Sequence, residues 1–177
     1  MAENDNLGRI IAGCKKGKAD CFSQLVDMYT GRCYGYFCRL TGNKDVSDDL
    51  LSELFIRLVE KINSYKGGSF ESWLFKIASN IFNDYLREKL RQKKLLDGRK
   101  EQLAAETTKV EKYETKRIDE LQTQLEKLDD DTRNVIMLRF YSQASFKEIA
   151  EMRSEPIGTT LSKVHRGLKK LRQLMDY

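Results

Sequence analysis

Residues 145–172 carry the pattern that most restricts how this chain can fold, and they read SFKEIAEMRSEPIGTTLSKVHRGLKKLR. Ser145 and Glu148 have the spacing of a capping box, which predicts that a helix begins there. Ser154 is placed to cap a second helix, and Pro156 suits a first turn, where its missing N–H has no consequence. The segment therefore predicts two helices separated by a tight turn.

The second of these helices is predicted to have one apolar stripe and one basic side. The stripe is formed by apolar residues at helical spacing, namely Ile157, Leu161, Val164, Leu168 and Leu171. The stretch from Gly158 to Arg172 contains several basic residues and no acid. A short helix followed by a basic one is typical of a helix-turn-helix that binds DNA. An ordinary helical hairpin with a solvated basic face is the alternative interpretation.

The rest of the chain is predicted to be helical as well. Its 177 residues include a single proline. The apolar residues return at helical spacing, with little of the alternation that is typical of strands. The clearest breaks are Gly42-Asn43 and the loop from Lys66 to Ser69.

Apolar periodicity also fades in the middle of the chain, which indicates a linker. We predict an all-α protein with two small helical domains, residues 1–95 and residues 115–177, joined by a flexible linker over residues 96–114. The C-terminal domain would contain the helix-turn-helix.

Composition disfavours several classes of protein. No apolar run approaches the ~18 residues of a membrane span, and the N-terminus MAENDNLGRI lacks the apolar core of a signal peptide. We therefore expect a cytoplasmic protein without membrane insertion.

The formal net charge of +5 is modest. Basic residues nevertheless cluster near 87–100 and 158–172, whereas acidic residues cluster near 45–60 and 111–131.

The cysteines all lie near the N-terminus, at Cys14, Cys21, Cys33 and Cys38. Their spacing is not that of paired C-x-x-C motifs, and the only histidine, His165, lies far along the chain. Reduced, mostly buried thiols are expected in a reducing compartment, with a zinc site as the less favoured alternative. We predict no cofactor and no metal.

Three blocks match a known motif pattern. Residues 48–55 read D-D-L-L-S-E-L-F, and the block F-x-x-W-L-x-x-I-A-x-N-x-x-x-D-x-x-R is filled from Phe70 to Arg87. The helix-turn-helix segment contains E-P-I-G-T-T-L-S-K-V-H-R-G. Together these blocks resemble the extracytoplasmic-function sigma factors, the smallest members of the bacterial sigma-70 family. That family usually has Gln in place of Ser52, and often a basic residue in place of Leu161.

The resemblance implies three functional surfaces. One binds core RNA polymerase through Asp48, Asp49, Leu50, Ser52, Glu53 and Phe55. The second reads and helps to open the −10 element of a promoter through Lys66, Ser69, Phe70, Trp73, Asn80, Asp84 and Arg87. The third reads the −35 element through Gly158, Thr159, Thr160, Ser162, Lys163, His165, Arg166 and Lys170.

The chemistry of these residues agrees with the resemblance. Exposed acids within residues 48–53 suit docking on a basic protein surface, although a solvated acidic face is the simpler interpretation of that helix alone. Asn80 and Asp84 lie four apart on one helical face, from which short polar side chains can reach unstacked bases. The basic run from 87 to 100 would continue that face as a phosphate clamp, with a solvated basic tail as the alternative interpretation. For Trp73, core packing is favoured over base contact.

We predict a promoter-specificity subunit of bacterial RNA polymerase that is not an enzyme. Its partners would be the β and β′ subunits of core RNA polymerase, promoter DNA and an anti-sigma factor. A free-standing helix-turn-helix regulator, whose N-terminal domain senses a ligand or forms a dimer, is the alternative. A nucleic-acid enzyme is disfavoured because a single histidine and scattered carboxylates supply neither a metal cluster nor an acid–base pair.

Overall fold

All regular secondary structure in the computed structural model is helical, and the structure describes residues 2–100 and 118–175. The first group of α-helices comprises α1 (Ala2–Lys15), α2 (Ala19–Thr41), α3 (Lys44–Lys61) and α4 (Phe70–Lys100), with a 3-10 turn at Ile62–Ser64. The second group comprises α5 (Ile118–Glu126), α6 (Asp130–Tyr141), α7 (Phe146–Arg153) and α8 (Ile157–Leu174). The prediction of an all-α protein is confirmed.

The predicted linker, residues 96–114, is only partly described. Residues 96–100 belong to the end of α4, and the rest of the predicted linker lies outside the described residues. Helix α4 therefore continues past the predicted end of the first domain.

Local signals in the sequence set the ends of several helices. Gly42 ends α2 with a φ of 64°, a left-handed conformation that glycine adopts without strain, and its N–H donates to the Cys38 carbonyl oxygen. Asn43 begins α3, because its side-chain oxygen accepts from the Val46 N–H at 3.0 Å. The predicted break at Gly42-Asn43 is confirmed.

Helix α1 has no counterpart among the predicted elements. Its Ile10, Ile11 and Cys14 are buried against the rest of the bundle. Gly13 lies so close to α2 that a Cβ there would collide with the Cys21 sulfur. Because glycine lowers helix propensity, packing on α2 stabilises α1 more than local preference does.

Large side chains from α2, α3 and α4 form the core of the first group. The fully buried ones include Leu25, Phe37, Leu54, Leu58, Leu74, Phe75 and Ile81. Burying one side chain of this size contributes roughly 1.5–3 kcal/mol. Because α3 packs against both α2 and α4, its position is fixed from two sides and its remaining face points to solvent.

The core of the second group lies between α6, α7 and α8. Val135, Leu138, Ile149 and Val164 are all buried there. Gly167 allows α8 to approach α6 closely, since a Cβ at this position would meet Ile136 Cδ1 at 2.6 Å. This close approach sets which side of α8 faces inward.

The two groups of helices pack against one another around one buried asparagine. Asn134 of α6 is 1% exposed. Its Oδ1 accepts from the Tyr36 hydroxyl at 2.6 Å, and its Nδ2 donates to Ser79 Oγ at 3.2 Å and to Asn83 Oδ1 at 3.3 Å. Because an unpaired buried amide is unfavourable, these bonds hold α6 on α2 and α4 in one position. The predicted arrangement of two tethered domains therefore omits a direct contact between them.

Other hydrogen bonds extend this contact in both directions. Arg133, which is 7% exposed, donates from Nη1 to the Leu40 carbonyl oxygen at 2.8 Å and from Nη2 to Asp130 at 2.6 Å. Near the N-terminus of α4, the Ser72 hydroxyl donates to Glu148 Oε1 of α7 at 3.0 Å. The contact between the groups thus involves α2, α4, α6 and α7.

We expect Asn134→Ala to loosen this contact. The variant leaves the buried Tyr36 hydroxyl without its acceptor, which costs about 1–3 kcal/mol. The free energy of unfolding in a urea titration should fall by that amount, and the radius of gyration from small-angle X-ray scattering should rise. The control is Asn63→Ala, which removes the same amide from an exposed position in the 3-10 turn. Equal stability and equal radius in the two variants would contradict the assigned contact.

Candidate functional site

Helix α3 turns one face into the core and leaves an acidic face in solvent. Leu54 and Leu58 are buried, whereas Asp48, Asp49 and Ser52 are exposed. The Ser52 hydroxyl donates to the Asp48 carbonyl oxygen at 2.9 Å, so it is occupied by its own helix. The two carboxylates at 48 and 49 therefore dominate this end of the face.

The remaining residues predicted for this surface differ in accessibility. Leu50 is only 5% exposed and continues the buried row of α3, and Phe55 is half-buried against the core. Both support the surface from behind, which differs from the direct contact predicted for them. Glu53 is partly exposed, and its carboxylate lies 2.7 Å from Arg57 Nη2. An ion pair this exposed contributes little to stability and is easily exchanged for another partner.

The structure adds two apolar side chains to the acidic face. Ile56 is 60% exposed and Val59 is 51% exposed. Val59 lies one residue after the buried Leu58, yet its side chain points to solvent. Helix α3 has more apolar positions than one buried row uses, and this surplus is the signal that could have identified both residues. Exposed apolar groups beside carboxylates are typical of a protein-binding surface.

The loop between the 3-10 turn and α4 is held in one shape by its neighbours. Gly67 and Gly68 have φ values of 110° and 88°, which only glycine adopts without strain. The Tyr65 hydroxyl donates to the Gly68 carbonyl oxygen at 2.6 Å, and Lys15 Nζ donates to the Tyr65 carbonyl oxygen at 2.6 Å. The exposed Lys66 and Ser69 are thereby presented on a fixed loop.

A cleft of about 580 Å³ lies between this loop and α1. Its lining includes Leu7, Ile11, Lys15, Tyr65, Ser69 and Glu71. The lining combines apolar surface with a cation, a carboxylate and hydroxyl groups. One wall belongs to α1, so the periodicity of the sequence did not reveal the cleft.

The two aromatic residues predicted for DNA contact belong mainly to the core. Phe70 is 1% exposed, and its ring centroid lies 5.4 Å from that of Tyr65. Trp73 is half-buried, with ring centroids 5.6 Å from Tyr65 and 5.5 Å from Phe70. The packing interpretation of Trp73 agrees with this position. Phe70 supports the loop from below and has almost no surface to offer to DNA, contrary to its predicted role.

Helix α4 presents two different faces that are offset by one residue. Ser79 and Asn83 face α6, as described above, whereas Asn80, Asp84 and Arg87 are exposed. Arg87 Nη1 lies 2.7 Å from Asp84 Oδ1, with both side chains more than half exposed. The predicted polar face thus stays accessible while the other side of α4 is covered.

The helix-turn-helix begins as predicted but its second helix starts differently. The Ser145 side chain accepts from the Glu148 N–H, and Glu148 accepts from the Ser145 N–H, so the predicted capping box is confirmed. Ser154 does not cap the second helix. It ends α7 with a φ of 53°, and Pro156 is the residue immediately before α8. The turn is therefore longer than predicted, because α8 begins only at Ile157.

The buried row of α8 is rotated from the predicted stripe. Thr160, Val164, Gly167 and Leu171 are buried, whereas the apolar residues Ile157, Leu161 and Leu168 are 48%, 43% and 51% exposed. The prediction is thus correct for Val164 and Leu171 and wrong for these three exposed residues. The rotation follows from Gly167, because the side without a Cβ is the side that comes closest to α6.

Two residues predicted to contact DNA point inward instead. The buried Thr160 hydroxyl donates to Glu155 Oε1 at 2.7 Å. Lys163 Nζ lies 2.5 Å from Glu155 Oε2 and 2.7 Å from Asp131 Oδ2 of α6. Arg153 also pairs with both carboxylates. These four charged residues form an ionic cluster that fastens α8 to α6 and α7, so Thr160 and Lys163 serve the fold.

The carboxylates of this cluster are held in their ionised form. Burial alone would raise the pKa of Glu155, but hydrogen bonds from Lys163 and Thr160 outweigh it and keep the pKa below its ordinary value. At Asp131 burial likewise opposes ionisation, and hydrogen bonds and charge from Lys163 and Arg153 lower the pKa. The depressed pKa values mean that the cluster stabilises the fold above the ordinary pKa and loses this contribution in acid.

The outward face of α8 has polar and basic residues beside the exposed apolar ones, and it is free of carboxylates. Gly158, Ser162, His165 and Arg166 are exposed, and no Asp or Glu occurs between Ile157 and Met175. The carboxylate on the residue before Pro156 is paired within the ionic cluster.

The other predicted residues lie at the edge of this face. Thr159 is half-buried, and Lys170 is exposed, with Nζ donating to the Lys127 carbonyl oxygen at 2.6 Å. Arg166 Nε approaches the Ser162 carbonyl oxygen at 3.3 Å, which leaves the rest of its guanidinium group for a ligand.

The four cysteines are free thiols. Cys14 and Cys33 are buried, and burial raises the pKa of Cys14 and raises that of Cys33 to about 12. Within residues 2–100 and 118–175, no group of His, Cys, Asp and Glu side chains is arranged to hold a metal ion. No helix in the same ranges is long and apolar enough to cross a membrane.

Comparison with known proteins identifies two regions of the chain. The family model described as Sigma-70 region 2 matches residues 25–92, and the one described as Sigma-70, region 4 matches residues 124–173. The chain is 32% identical to the ECF RNA polymerase sigma factor SigW of Bacillus subtilis, over 92% of this chain and 93% of that protein. It is also 32% identical to the sigma factor EcfG of Rhodopseudomonas palustris, over 77% and 75% of the two chains.

A solved structure has the same fold. It is the sigma factor RpoE from Bartonella quintana, in complex with the anti-sigma factor NepR, with a TM-score of 0.72 and 24% sequence identity. The match covers 88% of this chain and 96% of that chain. The all-α arrangement of both groups of helices is therefore shared with a solved protein.

We expect Glu155→Gln to weaken the attachment of α8 and to flatten its dependence on pH. The amide cannot form the charged hydrogen bonds to Lys163 and Arg153, each worth about 1.5–3 kcal/mol. The folded parent should lose stability as the pH falls from about 4.5, the ordinary value for Glu, whereas the variant should start lower and lose less. Urea titrations followed by circular dichroism at several pH values measure this. Glu151→Gln, an exposed carboxylate on α7, is the control, and identical pH profiles for the two variants would contradict the assignment.

Proposed function

The chain belongs to the extracytoplasmic-function class of sigma factors in the sigma-70 family, and we propose that its two groups of helices perform different steps of promoter recognition. Sigma factors of this class direct core RNA polymerase to specific promoters and initiate transcription. Residues 1–95 would bind core polymerase and the −10 element, and residues 115–177 would read the −35 element. The observation that supports this division is that three surfaces of different chemistry are exposed on different helices, α3, α4 and α8.

The outer face of α3 would bind core polymerase, on the β or β′ subunit. Its carboxylates at Asp48 and Asp49 favour a basic partner, and the exposed Ile56 and Val59 provide apolar area that an exposed helix does not otherwise need. A free-standing regulator could use such a surface to form a dimer. The sequence identity to sigma factors over nearly the whole chain favours the sigma factor over this alternative.

The loop from Lys66 to Ser69 and the open face of α4 would read the −10 element. Melting of the promoter exposes bases, and a base turned out of the stack requires a pocket with both apolar and polar walls. The cleft beside the loop has this character, and Asn80 and Asp84 lie on the exposed face of the helix that begins at the loop. Arg87 and the exposed basic residues after it would contact phosphates.

The outward face of α8 would enter the major groove at the −35 element. In a helix-turn-helix the N-terminal part of the second helix contacts base edges. Ser162, His165 and Arg166 are exposed there, and no carboxylate on this face repels phosphates. Lys170 would act through charge alone.

Engagement of a whole promoter would require the two groups of helices to separate. The −10 and −35 positions lie about 25 base pairs apart, or roughly 85 Å of duplex at 3.4 Å per pair. A compact protein of this size has a radius of gyration of only about 16 Å. While Ser72 contacts Glu148, α4 and α8 cannot occupy the two elements together. Binding of polymerase and promoter would therefore break the hydrogen bonds of Asn134.

Three further assignments follow from the proposed role. The chain would act in the cytoplasm, where transcription takes place, and would have no catalytic activity of its own. An anti-sigma factor is expected as a regulatory partner, by analogy with the Bartonella quintana protein. Such a partner would act by favouring the closed arrangement or by covering the outer face of α3.

We expect Asp49→Lys to reduce association with core RNA polymerase by roughly tenfold or more, since reversal of one charge replaces attraction by repulsion across the interface. Titration of a fluorescently labelled chain with core polymerase measures the affinity. The affinity of the parent should fall with rising salt, and that of the variant should fall less.

The matched control is Asp27→Lys, which makes the same change at an exposed position of α2. A second variant, Ile56→Ala, tests the apolar part of the face without a change in charge. If Asp49→Lys and Ile56→Ala both bind like the control, the outer face of α3 is not the docking surface.

We expect Asn80→Ala and Asp84→Ala to impair promoter opening more than promoter recruitment, by on the order of tenfold, because contacts to base edges are lost and phosphate contacts remain. Permanganate footprinting on duplex and pre-melted templates separates the two steps. The defect should be largest on duplex DNA. Gln24→Ala, which removes an exposed amide from α2, serves as the control. Opening at the parental rate in both variants would show that the open face of α4 does not read bases.

A further inference from the structure

An apolar side chain in the N-terminal part of α8 is left partly exposed by the described residues around it. Leu161 is 43% exposed and lies in the second turn of the helix, one turn after Ile157. The rotation of α8 that buries Thr160 and Val164 moves Leu161 out of the core. The exposed part of its side chain is therefore available to a ligand.

The surroundings of Leu161 are those of a DNA-reading surface. Gly158, Ser162 and His165 are exposed neighbours within about one helical turn of Leu161, at spacings of three, one and four residues respectively. The face has no carboxylate, and Arg166 lies nearby. The polar residues around Leu161 therefore favour nucleic acid over an apolar protein partner.

The major groove offers one apolar group on its base edges. Only thymine presents a methyl group there, on C5, and apolar side chains that enter the groove recognise it by contact. Leucine cannot form the hydrogen bonds by which arginine or asparagine distinguish guanine and adenine. An exposed leucine in the first turns of a recognition helix therefore matches this methyl group better than any other feature of a base pair.

We propose that Leu161 is a specificity-determining residue that contacts the C5-methyl group of a thymine in the −35 element. This inference rests on the proposed function of α8 as the −35 reader. Leu168 is similarly exposed, at 51%, but lies about 10 Å farther along the axis at 1.5 Å per residue, beyond the turns that enter the groove. Leu168 is therefore a matched control on the same helix.

The test uses the full chain assembled with core RNA polymerase. A promoter library with a randomised −35 element is selected for binding, and each thymine of the selected element is then replaced by deoxyuridine, which removes only the methyl group. For the parent, one or two replacements should weaken binding about four-fold, which corresponds to about 0.8 kcal/mol for one buried carbon. The same replacements should have no effect on Leu161→Ala and the full effect on Leu168→Ala.

A gain of preference provides an independent readout. Leu161→Arg should shift the selected base at the same position from thymine toward guanine, whose O6 and N7 accept both hydrogen bonds of a guanidinium group. Selected elements without thymine, or deoxyuridine effects that are equal in the parent and in Leu161→Ala, would overturn the inference. If the selection enriches no −35 sequence for the parent, the proposed function of α8 fails instead.

Discussion

The hydrogen bonds of Asn134 determine how the two groups of helices are arranged. Their partners, Tyr36, Ser79 and Asn83, come from α2 and α4, so α6 satisfies the amide in only one position between these helices. An apolar contact would tolerate sliding, whereas a buried polar one does not. The same groups can bind water when they separate, so the contact is specific and yet reversible. This combination suits a protein that must change from a compact form to an extended one.

The register of α4 determines which residues stay exposed when the two groups of helices are in contact. The residues that hold α6, at 79 and 83, each precede by one position the residues proposed to read DNA, at 80 and 84. In the compact form, both proposed reading faces, on α4 and on α8, therefore remain in solvent. The compact form limits only the distance between these two faces. A closed chain could touch either promoter element but not both, so it could not recognise a promoter as a unit.

Much of the fold could be predicted because its signals are local. The break at Gly42-Asn43 and the capping box at Ser145 depend on residues within one turn of each other, and the structure confirms both. The general positions of the acidic helix and of the helix-turn-helix followed from motifs of the same short range. Helix α1 could not be predicted, because it depends on packing against α2 rather than on its own periodicity.

The orientation of individual side chains in the candidate site was less predictable, because it depends on distant parts of the chain. Lys163 has the spacing of a groove-facing residue, but Asp131, more than thirty positions earlier, draws it inward. Leu161 continues an apolar row in sequence, yet the close approach at Gly167 turns it outward. The contacts of Asn134 join three separate segments, and no local pattern indicates that these segments meet.

The position of Trp73 has a practical consequence for spectroscopy. It is the only tryptophan of the chain, and it packs against Tyr65 and Phe70 at the base of the loop from Lys66 to Ser69. Its neighbour in the chain, Ser72, contacts Glu148 of α7. A base that enters the neighbouring cleft would alter the polarity around the indole ring, and separation of α4 from α7 would change the surroundings of the adjacent residue. The native chain thus carries one intrinsic fluorophore, at the point where the loop meets the second group of helices, that follows these events without any label.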